Sequence, residues 1–177
     1  MRRDELSARG VQLPVLPTIA LGPLPPGVSW PENLMRIGLD VLSTGLAEDG
    51  PEAVAFARAA VPVRPLLARG FDSAGLAAAG AAIIEGPAGA DAPLYGIGPD
   101  DVIVRPVGVS EPAVEAVMDV ARAVLTAAQA GIPSALWVAA GPGLEALPVE
   151  VVEAKLAVMV EGARQARLYL AKEQFDT

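Results

Sequence analysis

Six short apolar runs, at residues 15–21, 39–43, 63–68, 82–85, 102–109 and 135–139, set the terms on which this chain can fold. None shows the strict in–out alternation of a strand with one wet face. Short continuous runs read instead as strands buried on both sides. Helical stretches stand between them, and buried strands alternating with helices imply parallel βα units, an α/β fold class. One grammar recurs between the strands: proline and glutamate open a periodic stretch, and glycine closes it. Trp30-Pro31-Glu32 opens a helix that stops at Gly38, Asp72-Ser73 caps one running through Ala79, and Ser110-Glu111-Pro112 opens one running to about Ala130 before Gly131. Proline costs nothing in the first helical turn, glutamate there complements the helix dipole, and glycine takes the left-handed position after the last turn.

The last helix is the most strongly marked. Val152, Leu156, Met159, Ala163, Ala166 and Leu170 fall at spacings of 4, 3, 4, 3 and 4, a single apolar stripe. Glu150 and Glu153 lie near its start, and Arg164, Arg167 and Lys172 toward its end, as the dipole prefers. The stripe reads as core. Residues 86–99, rich in Gly, Pro, Ala and Asp, form the one candidate long loop. The expected organisation is an N-terminal arm (1–12), a single domain (13–172) and a C-terminal tail (173–177).

Composition narrows function more than fold. At 177 residues and 18.0 kDa the chain is one domain's length. A formal charge of −8 excludes a nucleic-acid backbone as main partner, which needs a Lys/Arg excess. With no cysteine there is no disulfide, thiolate nucleophile or zinc–sulfur site, and with no histidine no Ser-His-Asp chemistry. The mean hydropathy of +0.44 raises the question of a membrane span. The uncharged run 123–144, which no other exceeds in length, is broken by Gln129, Gly131, Pro133, Gly141 and Pro142, whereas a span needs about 20 continuous apolar residues. No apolar stretch adjoins the charged N-terminus as a signal peptide would require. The expectation is a soluble cytoplasmic protein with no membrane or nucleic-acid partner.

Few side chains are left to carry chemistry. Glu85 closes a strand run, at the end where βα proteins place their sites; it reads as a ligand contact or weak base, or as a solvated or arginine-paired carboxylate. Arg105 stands inside an apolar run beside Pro106 and must pair or reach water. It could take a carboxylate or phosphate, but an internal pair with Glu85 is favoured. Ser43 and Thr44 follow the second run and could hold a polar ligand, or be plain turn residues. Asp40, at the start of that run, reads as a helix-side hydrogen-bonding residue. Trp30 and Trp137 read as packing anchors.

Four strings then resemble one family. Leu136-Trp137-Val138-Ala139-Ala140-Gly141-Pro142-Gly143-Leu144, with Glu153-Ala154-Lys155-Leu156 beyond, is similar to the C-terminal signature of cobalamin-independent methionine synthase, Leu-Trp-Val-Asn-Pro-Asp-Cys-Gly-Leu. Leu16-Pro17-Thr18-Ile19-Ala20-Leu21-Gly22 resembles its first strand, Leu-Pro-Thr-Thr-Thr-Ile-Gly. Gly38-Leu39-Asp40-Val41-Leu42-Ser43-Thr44-Gly45 resembles Gly-Ile-Asp-Val-Leu-x-x-Gly, and Ile83-Ile84-Glu85-Gly86-Pro87 resembles Ile-Gln-Ile-Asp-Glu-Pro with slippage. The matches keep family order from about residue 13 to 170. The resemblance implies parallel βα units derived from a TIM-type (β/α)8 barrel, shortened to about six strands.

The departures from that family shape the expected function. The family holds zinc with a His-x-Cys pair, a glutamate and a second cysteine, and zinc keeps the substrate thiol as thiolate. Here the second cysteine position is Pro142, and no His-x-Cys exists. The serine after the first-strand glycine is Pro23, the glutamate after Val-Leu-x-x-Gly is Leu46, and the gap of about two βα units falls after Pro87. The resemblance adds Gly22 to Glu85, Arg105, Ser43 and Thr44 as candidate ligand-binding positions; no catalytic residue, metal ligand or cofactor is assigned. The expected function is a non-catalytic or accessory subunit, with an oligomer or partner subunit covering the open barrel edge. The alternatives are a methyltransferase-type binder of a folate, corrinoid or thiol with metal ligands from another chain, and a small rim-site lyase or isomerase.

Overall fold

A computed structural model of the chain describes residues 7–8, 10–70, 72–85, 102–131 and 135–175, apart from the side chains of Ser73, Glu85, Gln174 and Phe175. In chain order the elements are β1 (Thr18–Ala20), α1 (Trp30–Ile37), β2 (Leu42–Ser43), α2 (Pro51–Ala60), β3 (Leu66–Arg69), α3 (Ser73–Ala78), β4 (Ile83–Glu85), β5 (Val102–Val104), α4 (Val117–Ala130), β6 (Leu136–Ala140), a 3-10 turn (Leu144–Ala146) and α5 (Val149–Phe175). Each of the six apolar runs holds a strand. The long loop expected over 86–99 lies outside the described residues.

The strands form two parallel three-stranded sheets, ordered β1-β6-β5 and β2-β3-β4. A single parallel bridge, Ile19 to Val41, links them, so the succession reads β5-β6-β1, then β2-β3-β4. Alternate residues face opposite ways along each strand. Ala20, Leu42, Leu66, Ala68, Ile84, Leu136, Val138 and Ala140 face the helices, in one core with Leu34, Val54, Val120, Val124, Leu156 and Met159. Ile19, Leu21, Val41, Leu67, Ile83, Trp137 and Ala139 form a second cluster on the other face. Burial of both faces explains why the runs do not alternate.

The expected helix signals act at α1 and α3. Gly38 adopts φ 100°, and its N–H reaches the Leu34 and Met35 carbonyls at 3.0 and 3.1 Å. Asp72 accepts from the Gly75 N–H at 2.9 Å. The stripe of α5 is core as read, with Val152, Leu156, Met159, Ala163 and Ala166 fully buried. This helix continues through Phe175.

Three expectations change. Pro51-Glu52 opens α2, a helix the sequence reading lacks, of which only Val54 and Ala57 are buried. The fifth run holds a strand only as far as Val104, since Pro106 has no N–H for a ladder. The helix expected from residue 110 begins at Val117, because Lys155 holds the segment before it as a loop. Lys155, fully buried in α5, donates to the Ala113 carbonyl and to both Glu115 oxygens at 3.2 Å, and Glu115 Oε1 also accepts from the Gly108 N–H at 2.7 Å. Burial alone would raise the Glu115 carboxyl, but these hydrogen bonds and the ammonium charge hold it below the usual range. A helical 110–116 would leave a buried ammonium unpaired, at greater cost than the helical turns it would gain.

Helices α4 and α5 meet at Gly162. A Cβ built there would overlap Val120 Cγ1 and lie 2.8 Å from Val120 Cβ and 3.2 Å from the Ala121 nitrogen. Alanine normally gains about 1 kcal/mol over glycine inside a helix. Gly162→Ala is expected instead to destabilise by about 1–3 kcal/mol, as overpacking does, read from the urea midpoint. Stabilisation would show that the two helices can move apart freely.

Candidate functional site

The C-terminal ends of β1, β2, β3 and β6 come together as a rim of tight turns. Leu21 N–H reaches the Ala140 carbonyl at 2.8 Å, and Leu24 N–H the Gly45 carbonyl at 2.8 Å. Gly22, at φ 84°, lets the turn after β1 lie on Pro142, where a Cβ would stand 2.8 Å from Pro142 Cα. Gly45 similarly accommodates the Trp30 ring, whose Nε1 donates to the Pro25 carbonyl at 2.7 Å.

Asp49 ties the loop after β2 to the end of β3. Its Oδ1 accepts from the Thr44 hydroxyl, its Oδ2 from the Arg69 N–H at 2.7 Å, and its own N–H donates to the Arg69 carbonyl at 2.6 Å. Burial pushes the Asp49 carboxyl up, and the Thr44 hydroxyl, the Arg69 N–H and the Arg69 charge only partly offset it. Arg69 is 8% exposed and engaged in a polar contact of its own.

Ser43 differs from these. It shares the inward parity of Val41, is 5% exposed, and its hydroxyl has no hydrogen-bond partner among the described residues. Trp137 lies deeper on the same face, opposite Ile103, with its Nε1 also unpartnered. An unsatisfied buried polar group costs roughly 1–3 kcal/mol, and the inner face holds two such donors among the described residues.

Of the five sequence candidates, Gly22, Ser43 and Thr44 share this rim. Thr44 is committed to Asp49, and Gly22 to Pro142, which leaves Ser43 as the donor without a partner among the described residues. Glu85 ends β4 opposite Arg69 in register, but its side chain lies outside the described residues, and with it the favoured pair to Arg105. Arg105 itself is exposed, just beyond β5. Asp40 is a hydrogen-bonding residue as read, accepting from the Thr18 N–H at 2.9 Å, the Thr18 hydroxyl at 2.8 Å, and Arg167. Both tryptophans are buried anchors.

Sequence reasoning missed Asp49 and Arg69. Arg69 carried a usable signal, since a charge closing an apolar run must be answered nearby. The zinc implied by the resemblance does not fit here. Where the resemblance would put its cysteine stands Pro142, seated on Gly22, and the chain has no thiolate or imidazole to replace it. No protein-family model matches the chain, and no curated protein does.

Because the folded Asp49 carboxyl titrates above its unfolded value, its contribution to stability is fully present below the unfolded pKa, about 3.9. It is lost as pH rises through the folded value. Carboxyl NMR should place the Asp49 midpoint above about 3.9, and Thr44→Val should move it further up by removing a lowering hydrogen bond. A midpoint at or below the ordinary value would show that burial does not govern this site.

Proposed function

We propose that this chain is a shortened relative of the cobalamin-independent methionine synthases that keeps the βα scaffold, has lost the thiol-activating zinc centre, and acts in the cytoplasm as a non-catalytic subunit. The observation carrying this reading is the strand succession. Strands β1 to β4 neighbour one another in chain order, and the last strand, β6, lies beside the first. A ring of βα units with one arc removed gives that order. The family-like strings fall on β1, β2, β4 and β6, at corresponding places in the succession. Pro142 against Gly22 supports the loss of zinc chemistry.

The removed arc leaves β4 and β5 outermost, each paired on one side among the described residues. An unpaired strand edge is a template for another strand. A second copy is the simplest occupant, since a two-fold pairing of like edges is self-complementary. Sedimentation at micromolar concentration should give twice the 18.0 kDa chain mass. Lysine in place of Val102, 48% exposed on β5, should shift it to monomer. A wild-type monomer that binds no partner subunit would contradict this function.

The unpartnered Ser43 hydroxyl favours a second reading, a methyltransferase-type binder of a folate, corrinoid or thiol whose metal ligands come from another chain. Calorimetry with methyl-folates and thiols, with and without zinc, tests it. Heat lost on Ser43→Ala would support it, and silence across the panel would end it.

A further inference from the structure

The end of the strands opposite the rim is also concave. Under the N-terminal ends of β3 and β4 lies a cleft of about 290 Å³, between the arm at Gly10–Gln12 and the turn at Pro62–Pro65. Two guanidinium groups, Arg58 and Arg64, line it, and no carboxylate of the described residues does. In a chain of net charge −8 with 13 Lys and Arg in all, a concave site whose charged lining, among the described residues, is two arginines is against the average.

Arg58 has no carboxylate partner among the described residues. It donates to backbone oxygens only: Nε and Nη2 to Gly80 at 3.2 and 2.8 Å, and Nη1 to Arg64 at 2.7 Å, with longer reaches to Val61 and Pro62. Of its five N–H groups, one on Nη2 has no acceptor among the described residues. Burial draws the guanidinium pKa down. Arg64 is loosely held. Its Nη1 stands 4.0 Å from Asp40 Oδ1, while Asp40 Oδ2 already serves Thr18 and Arg167.

Beside the arginines and Gln12, the lining side chains are apolar. Val11, Pro62 and Pro65 form walls, and Val63 stands at the mouth with 83% of its surface exposed. The volume lies at the bottom of the range for small-molecule sites, roughly 300–1,000 Å³. We infer that this cleft binds a small oxyanion, a carboxylate or phosphate carried on a compact apolar body, with Arg58 and Arg64 on the charged head and the Pro62–Pro65 turn on the body. The arginine fork suits either head group. The site stands apart from the rim and does not depend on the function proposed above.

Amide NMR titration of the full chain with benzoate, phenyl phosphate, inorganic phosphate and neutral benzamide tests it. Benzoate or phenyl phosphate should saturate, shifting the Val11, Gln12, Val63 and Arg64 amides, and the tighter of the two identifies the head group. Inorganic phosphate, without the apolar body, and benzamide, without the charge, should each bind about tenfold or more weakly. Arg64→Gln should weaken the tighter probe about tenfold with the unfolding midpoint unchanged, since its side chain is 42% exposed. Arg58→Lys, which keeps charge but loses the fork, should also weaken it. No saturation by about 10 mM, benzamide binding as well as benzoate, or an Arg64→Gln variant that binds undiminished would each overturn the assignment.

Discussion

The structure depends on the carboxylate of Asp40. Between β1 and β2 the ladder is reduced to one bridge, and the Val41 N–H meets the Thr18 carbonyl at 3.1 Å. Asp40 supplies what the ladder lacks. It takes both the N–H and the hydroxyl of Thr18, while its own N–H donates to Thr18 Oγ1 at 3.0 Å. Arg167 completes the clamp from α5, donating to Asp40 and to the Val15 and Leu16 carbonyls, each at 2.8 Å. One buried acid thus joins two sheets and the longest helix. With 8% of its surface exposed, Asp40 works in a medium where charge-assisted hydrogen bonds are stronger than in water.

Helix α5 is the organising element around that clamp. Its stripe fills the helix-side core, Lys155 fixes the loop ahead of α4, Gly162 admits α4 at close range, and Arg167 reaches the seam. Lys155 and Gly162, seven residues apart, share the flank of the stripe turned to α4, and Arg167 lies on the other flank. The alanine-rich composition fits this arrangement, because small side chains let backbones approach where large ones would hold them apart.

Features governed by neighbouring residues were legible in the sequence. The six strands, the Gly38 stop, the Asp72 cap and the α5 stripe all follow from local pattern. Features set across the chain were not. Lys155 meets Glu115 forty residues away, and Arg167 meets Asp40 from 127 residues away. Neither spacing leaves a periodic trace, so the late start of α4 could not be foreseen. Helix α2 carried the Pro-Glu signal, but with two buried positions its stripe is thin. At the rim, Ser43 and Thr44 were visible as polar residues ending a run. That one is spent on Asp49 while the other stays unpartnered depends on a loop closing back onto β3.

Both functional readings require the two half-sheets to be one body, since a scaffold that parts at β1–β2 has neither a shared rim nor a defined pair of outer strands. Native-state hydrogen exchange of the Thr18 and Val41 amides, in the wild type and in Asp40→Ala, measures this directly. Wild-type protection at both amides should match global unfolding. The substitution should lower protection in β3 and β6 together, by on the order of 3 kcal/mol for an arginine left without its partner. Seam amides that exchange by local opening while β3 and β6 stay protected, or an Asp40→Ala protein of unchanged stability, would contradict it.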